Sequence, residues 1–134
     1  MGENGELKNK KGVLQKIEDF MEYADPILDK FPRTERGYCG MMTKLRECMQ
    51  DMADRSMDAQ KSYYAKSTLK ELAELDKAIE HCRFYTKHSM RRKFLTLHQY
   101  GVMHDYLDEI GKMTGSWIQT ILKAEERKTT ARKK

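Results

Sequence analysis

The sequence predicts an all-α fold, an antiparallel four-helix bundle. Three observations point there. Apolar residues recur at alternating spacings of three and four in four separate segments. No alternating strand pattern or hairpin turn competes with them. Only two prolines, Pro26 and Pro32, interrupt 134 residues. A chain of this length builds one hydrophobic core and not two. Its 39% hydrophobic and 35% charged residues suit helices with wide solvated faces.

In the first segment Val13, Ile17, Phe20, Ala24, Ile27 and Phe31 form the seam. Pro26 lacks an amide hydrogen and predicts a kink. Phe31-Pro32 ends the helix, because the residue before proline avoids helical backbone. The second segment is expected to begin near Thr34, with a stripe of Met41, Leu45, Cys48, Met52, Ala59 and Tyr63, widened by Met42 and Met49. The third opens on Thr68 and Glu71 as a capping box, in which the two side chains satisfy free backbone N–H groups. Leu72, Leu75, Ile79 and Cys82 line its inner face, and the basic stretch Lys87–Lys93 closes it. The fourth repeats the start signal with Thr96 and Gln99. Leu97, Tyr100, Leu107, Ile110, Thr114, Trp117, Ile118 and Ile121 carry its seam.

Gly111 and Gly115 sit awkwardly in that last helix, since each costs about 1 kcal/mol relative to alanine. Four residues apart, they stack on one face and leave room for a close approach. The approaching group belongs either to a neighbouring helix or to another subunit. Trp117 lies about 200° around the helix from Gly115, which directs it into the core instead.

Enzymatic chemistry finds no support. A di-iron bundle needs Glu-x-x-His motifs, but Glu80 is followed at that spacing by Arg83, and Glu109 by Lys112. His81, His88, His98 and His104 form no H-E-x-x-H cluster. Cys39, Cys48 and Cys82 match no CxxC or zinc spacing and read as small hydrophobes. No phosphate loop is present, and no G-x-S-x-G nucleophile. Neither a cofactor nor a metal is expected. The methionines Met41, Met42, Met49 and Met52 occur at core spacing rather than as a groove.

Charge is the remaining signal. The net charge is +5, and its location matters more than its size. Lys87, Arg91, Arg92 and Lys93 gather within KHSMRRK without an acid, just after Arg83. Arg33, Arg36, Lys44 and Arg46 cluster near the start of the second helix. If the second and third helices are antiparallel neighbours, both groups lie at one end of the bundle. Such segregation favours a polyanion, although cations at a helix C-terminus also suit its dipole. No aromatic platform interleaves these bases, so binding is expected to be directed at the phosphate backbone.

At this point the chain resembles a known family. FPRTERGYCGMMTKLRE, after the first helix, is similar to the FPkseR-type junction of the Avd family, the accessory variability determinant proteins of diversity-generating retroelements. LTLHQYGVMHDYLDEIGKMTGSW resembles that family's slxqYeh…ldEiGrmlGGW ending, through Gln99, Tyr100, Asp108, Glu109, Ile110, Gly111, Met113, Gly115 and Trp117. Ser116 departs from the second glycine of GGW. The resemblance spans residues 13–122. It implies a non-catalytic four-helix bundle that assembles as a ring-like homopentamer with a basic surface. It further implies binding to the retroelement's reverse transcriptase and to nucleic acid, the template RNA first and DNA second, in support of mutagenic cDNA synthesis. Gly111, Gly115 and Trp117 would then serve bundle and subunit packing. The nine cations named above would face RNA or the polymerase.

The expected organisation is a polar N-terminal tail over residues 1–12, the helical domain over 13–122 and a basic tail over 123–134, unfolded when unbound. No apolar run approaches a membrane span, and the polar N-terminus lacks a signal region, so a cytoplasmic protein is expected. The rival reading is a helical adaptor binding protein partners only, similar to the bundles encoded by intervening sequences in bacterial 23S rRNA genes.

Overall fold

The computed structural model describes residues 2–132, with side chains from Gly12 to Ala131. Four α-helices follow one another: α1 (Gly2–Leu28), α2 (Met41–Lys61), α3 (Ala65–Arg91) and α4 (Leu97–Arg132), with a 3-10 turn at Arg33–Glu35 between the first two. No strand occurs among the described residues. Among the described residues no helix is long and apolar enough to cross a membrane.

Along α1, Val13, Ile17, Phe20, Ala24 and Leu28 are all fully buried. The spacing of three and four puts them on one stripe. Leu28 rather than Ile27 closes that stripe, and Ile27 only packs against its edge. Pro26 stays within the helix, exposed, in its last turn. The chain then tightens: Lys30 N–H donates to the Ile27 carbonyl and Phe31 N–H to that of Leu28.

The start of α2 differs from expectation. It begins at Met41, not near Thr34, because the intervening residues form a tight turn. Cys39 adopts a left-handed φ of 65°, and Gly40 occupies the N-cap with no side chain to offer. Glu35 replaces it: its buried carboxylate accepts the Met41 N–H at 3.1 Å. A negative charge at that end also complements the helix dipole. The turn closes so tightly that a Cβ on Gly40 would overlap the Glu35 backbone. Downstream, Leu45, Cys48, Met49, Met52, Ser56 and Ala59 face inward. Tyr63 lies beyond the helix and is 96% exposed, not part of the stripe.

The Thr68–Glu71 capping box does not form. α3 starts three residues earlier, at Ala65. Thr68 Oγ1 donates instead to the Tyr64 carbonyl, and Glu71 accepts Arg55 Nη1 of α2 at 3.2 Å. The expected inner residues Leu72, Leu75, Ile79 and Cys82 are all buried. At its end, Phe94 N–H reaches the Ser89 carbonyl while Lys93 takes a φ of 66°. That left-handed residue after a helix is a position that favours glycine.

The box opening α4 does form. Gln99 N–H donates to Thr96 Oγ1, and Thr96 N–H to Gln99 Oε1, each at 3.0 Å. Met103, Leu107, Ile110, Thr114, Trp117 and Ile121 face the core. Leu97 does not; it is 77% exposed. Beyond Lys123, where an unfolded tail is expected, the helix continues to Arg132.

Each helix packs beside two others: α1 against α2 and α4, and α3 against the same pair. Contacts set the register. Lys16 pairs with Glu109 at 3.0 Å, the Phe20 ring meets Tyr106 at 5.9 Å, and Phe31 meets Phe94 at 5.5 Å. Lys16 and Phe20 of α1 thus meet Glu109 and Tyr106 of α4, and the loop residues Phe31 and Phe94 meet beyond the ends of α1 and α3. Arg46 reaches back to Asp25 and Asp29, and Arg55 forward to Glu71. One buried cluster drawn from all four helices forms the core, and Trp117 is its largest fully buried side chain.

Candidate nucleic-acid interface

The nine cations singled out in the sequence divide by what surrounds them. Arg46 on α2 lies between two carboxylates, with Nη1 3.1 Å from Asp25 and Nη2 2.6 Å from Asp29. That local group is net negative. Arg83 on α3 sits 3.4 Å from Glu80 and 3.9 Å from Asp108, and its Nη2 reaches the Leu107 carbonyl at 3.4 Å. Its role is to join α3 to α4. Lys44 stands 3.6 Å from Glu47, whose charge raises the ammonium pKa, and over the Tyr38 ring at 5.8 Å. Arg36 donates to the Asp29 carbonyl at 2.8 Å, which folds it back onto the turn.

Arg33, Lys87, Arg91, Arg92 and Lys93 differ. All five are exposed. Among the described residues, none of them forms an ion pair. Between His81 and Leu95 the chain carries five Lys/Arg and not one Asp or Glu. Exposed ion pairs are screened by solvent and contribute little, so Lys44 can change partner readily. Arg46, with two carboxylates, cannot add net positive charge.

Two aromatic rings bring the basic segments to one end. Phe31, in the loop after α1, packs on Phe94, in the loop after α3, and the Arg92 guanidinium lies 5.0 Å above the Phe94 ring. Arg33 follows Phe31 by two residues, so the 3-10 turn and the Arg91–Lys93 corner share this end.

Sequence reasoning missed the aromatic component. Phe84 on α3 is 65% exposed. Its ring runs within 5° of parallel to that of His88, at 6.3 Å, and lies 5.4 Å from the Tyr85 ring at an interplanar angle of 80°. Phe84, Lys87, His88 and Arg91 border a notch of about 170 Å³. The signal was present: Phe84 lies about 200° around the helix from buried Cys82, so it points away from the seam.

The paired glycines do different things within one chain. A Cβ on Gly111 would stand 2.9 Å from Arg83 Nη2, so this glycine admits the guanidinium. Gly115 faces open space and is exposed. Cys48 and Cys82 are buried and free, while Cys39 is exposed. Burial pushes the Cys48 thiol up to about 11 and raises that of Cys82 as well. Among the described residues no three His, Cys, Asp or Glu side chains gather as a metal site would require.

Comparison with known proteins places these features. The model of a family described as bAvd-like matches residues 13–121. A solved structure of a protein of unknown function from the S23 ribosomal protein family of Bacteroides thetaiotaomicron superposes with a TM-score of 0.74, covering 83% of this chain and 98% of that one. The two share 14% identity, so the likeness is one of fold. No protein with a curated description matches.

Proposed function

This chain belongs to the bAvd-like family, and we propose from that premise that it is the non-catalytic accessory subunit of a diversity-generating retroelement. It binds the reverse transcriptase and the template RNA through a basic surface, and supports mutagenic cDNA synthesis in the cytoplasm. One chain forms an antiparallel four-helix bundle, and five assemble into a ring. Residues 13–122 make up the bundle domain, and the segments 1–12 and 123–134 flank it. The contacts of Lys16 with Glu109 and of Phe20 with Tyr106 favour the antiparallel arrangement. Gly115, bare and facing open space, favours a subunit contact on that side of α4.

The observation that carries the reading is the group of exposed cations Arg33, Lys87, Arg91, Arg92 and Lys93, unneutralised by any carboxylate among the described residues. Polyanions bind such a group by displacing condensed counterions, so affinity falls steeply with salt. The test is RNA affinity across a salt series, for the native chain and for Arg91→Glu with Arg92→Glu. The reading expects a loss of roughly tenfold or more and a shallower salt slope in the double variant. Unchanged RNA and polymerase binding would remove the assigned surface.

A further inference from the structure

An apolar ring left mostly in water, beside cations, needs a reason. Phe84 is 65% exposed on α3, and the two rings it meets, Tyr85 and His88, belong to its own helix. The residues around it repeat at helical spacing. Lys87, His88 and Arg91 follow Phe84 by three, four and seven positions, which places all four on one outward stripe. The Phe84 and His88 rings are near parallel, and Lys87 and Arg91 flank them across the notch of about 170 Å³. The carboxylate closest along this face, Glu80, stands one turn before Phe84 and is paired with Arg83 at 3.4 Å.

We propose that the Phe84–His88 shelf is a stacking site for a nucleobase of single-stranded nucleic acid, with Lys87 and Arg91 holding the phosphates on either side of that base. This deepens the nucleic-acid reading and rests on it. Aromatic faces beside cations suit an unpaired base: the π-face takes any base, and the cations follow the backbone. A duplex keeps its base faces stacked on each other and cannot use the shelf. A second copy related by a twofold axis fits less well as the occupant, since it would bring the same acid-free stretch of five cations between His81 and Leu95. Like charges at close quarters disfavour that pairing. A ring neighbour would meet this face with a different surface and is told apart by the assembled mass.

The test compares Phe84→Ala, Phe84→Leu and Phe84→Trp with the native chain. Each binds a mixed-sequence fluorescent single-stranded oligoribonucleotide and a duplex of the same length, with light-scattering mass and circular dichroism as controls. Phe84→Ala and Phe84→Leu are expected to weaken single-strand binding roughly five- to a hundredfold while duplex binding and its salt slope hold. Phe84→Trp is expected to match or exceed the native chain. Leucine keeps the apolar volume without the π-face, so its loss separates stacking from packing. Native single-strand affinity in Phe84→Leu overturns the shelf while leaving the basic surface standing. An equal loss on both ligands, or a change of assembled mass, makes Phe84 a structural or subunit residue and overturns it too. If the native chain binds neither ligand, the nucleic-acid reading fails and the shelf with it.

Discussion

The Phe31 and Phe94 rings meet at 5.5 Å with their planes tilted by 46°, and this contact ties the loop after α1 to the loop after α3. Phe94 also carries Arg92 at 5.0 Å. Replacing it therefore disturbs both packing and the placement of charge. Phe94→Ala is expected to lower stability by about 2 kcal/mol, short of a fully buried ring because Phe94 is half-buried. Urea denaturation measures that loss. RNA affinity should fall several-fold in the same variant; a destabilised but fully active protein would mean that binding does not need the two basic segments aligned.

Lys93 separates stability from function at a single residue. Its φ of 66° costs about 1 kcal/mol for a residue with a side chain, and glycine adopts it freely. Lys93→Gly is expected to raise stability by about 1 kcal/mol while removing one phosphate contact. The slope of log affinity against log salt should then shrink by about 0.7 on single strands. Lys93→Ala, which keeps the strained backbone, should show the same loss of slope without the gain. Equal stability in the two variants would exclude the left-handed strain.

Gly115 tests assembly without touching the core. Nothing lies within 4 Å of a Cβ placed there. Gly115→Leu should therefore leave the single chain folded and add about 1 kcal/mol of helix propensity. If this face meets another subunit, the bulk of leucine should reduce the sedimentation mass to that of one chain, with helicity unchanged. An oligomer that survives leucine at this position does not use Gly115 as a contact.

The thiols give a dependence on pH. Burial raises Cys48 from 9.0 to about 11, and Cys82 moves in the same direction. Above pH 9 the unfolded chain has released these protons while the folded chain still holds them. Stability is then complete below about pH 9 and declines as pH rises toward 11. Cys48→Ala should flatten that decline in urea midpoints measured at successive pH values. At neutral pH a thiol reagent should label Cys39 quickly, and Cys48 and Cys82 only after denaturation.

Several features were legible because they are local. The stripes of α1 and α3 follow from a period of 3.6 residues, and any residue at the right spacing joins them. The Thr96–Gln99 box was readable for the same reason, since both partners lie within one turn. The same motif at Thr68–Glu71 misled. Nothing in four residues shows that Arg55 from another helix takes the glutamate, or that α3 already starts at Ala65. The late start of α2 depends on a carboxylate six residues upstream and on backbone packed against Gly40.

By itself, then, the sequence determined the number of helices, their inward faces and the existence of two basic segments. Each of these follows from spacing and residue type along the chain. Tertiary structure alone decided which cations remain free. Charges are cancelled across space: Asp25 and Asp108 from other helices and Asp29 from the turn after α1 reach Arg46 and Arg83, while Arg91, Arg92 and Lys93 meet no carboxylate among the described residues. It also decided that Phe84 stays in water, because a ring is buried only where a neighbouring helix arrives to cover it.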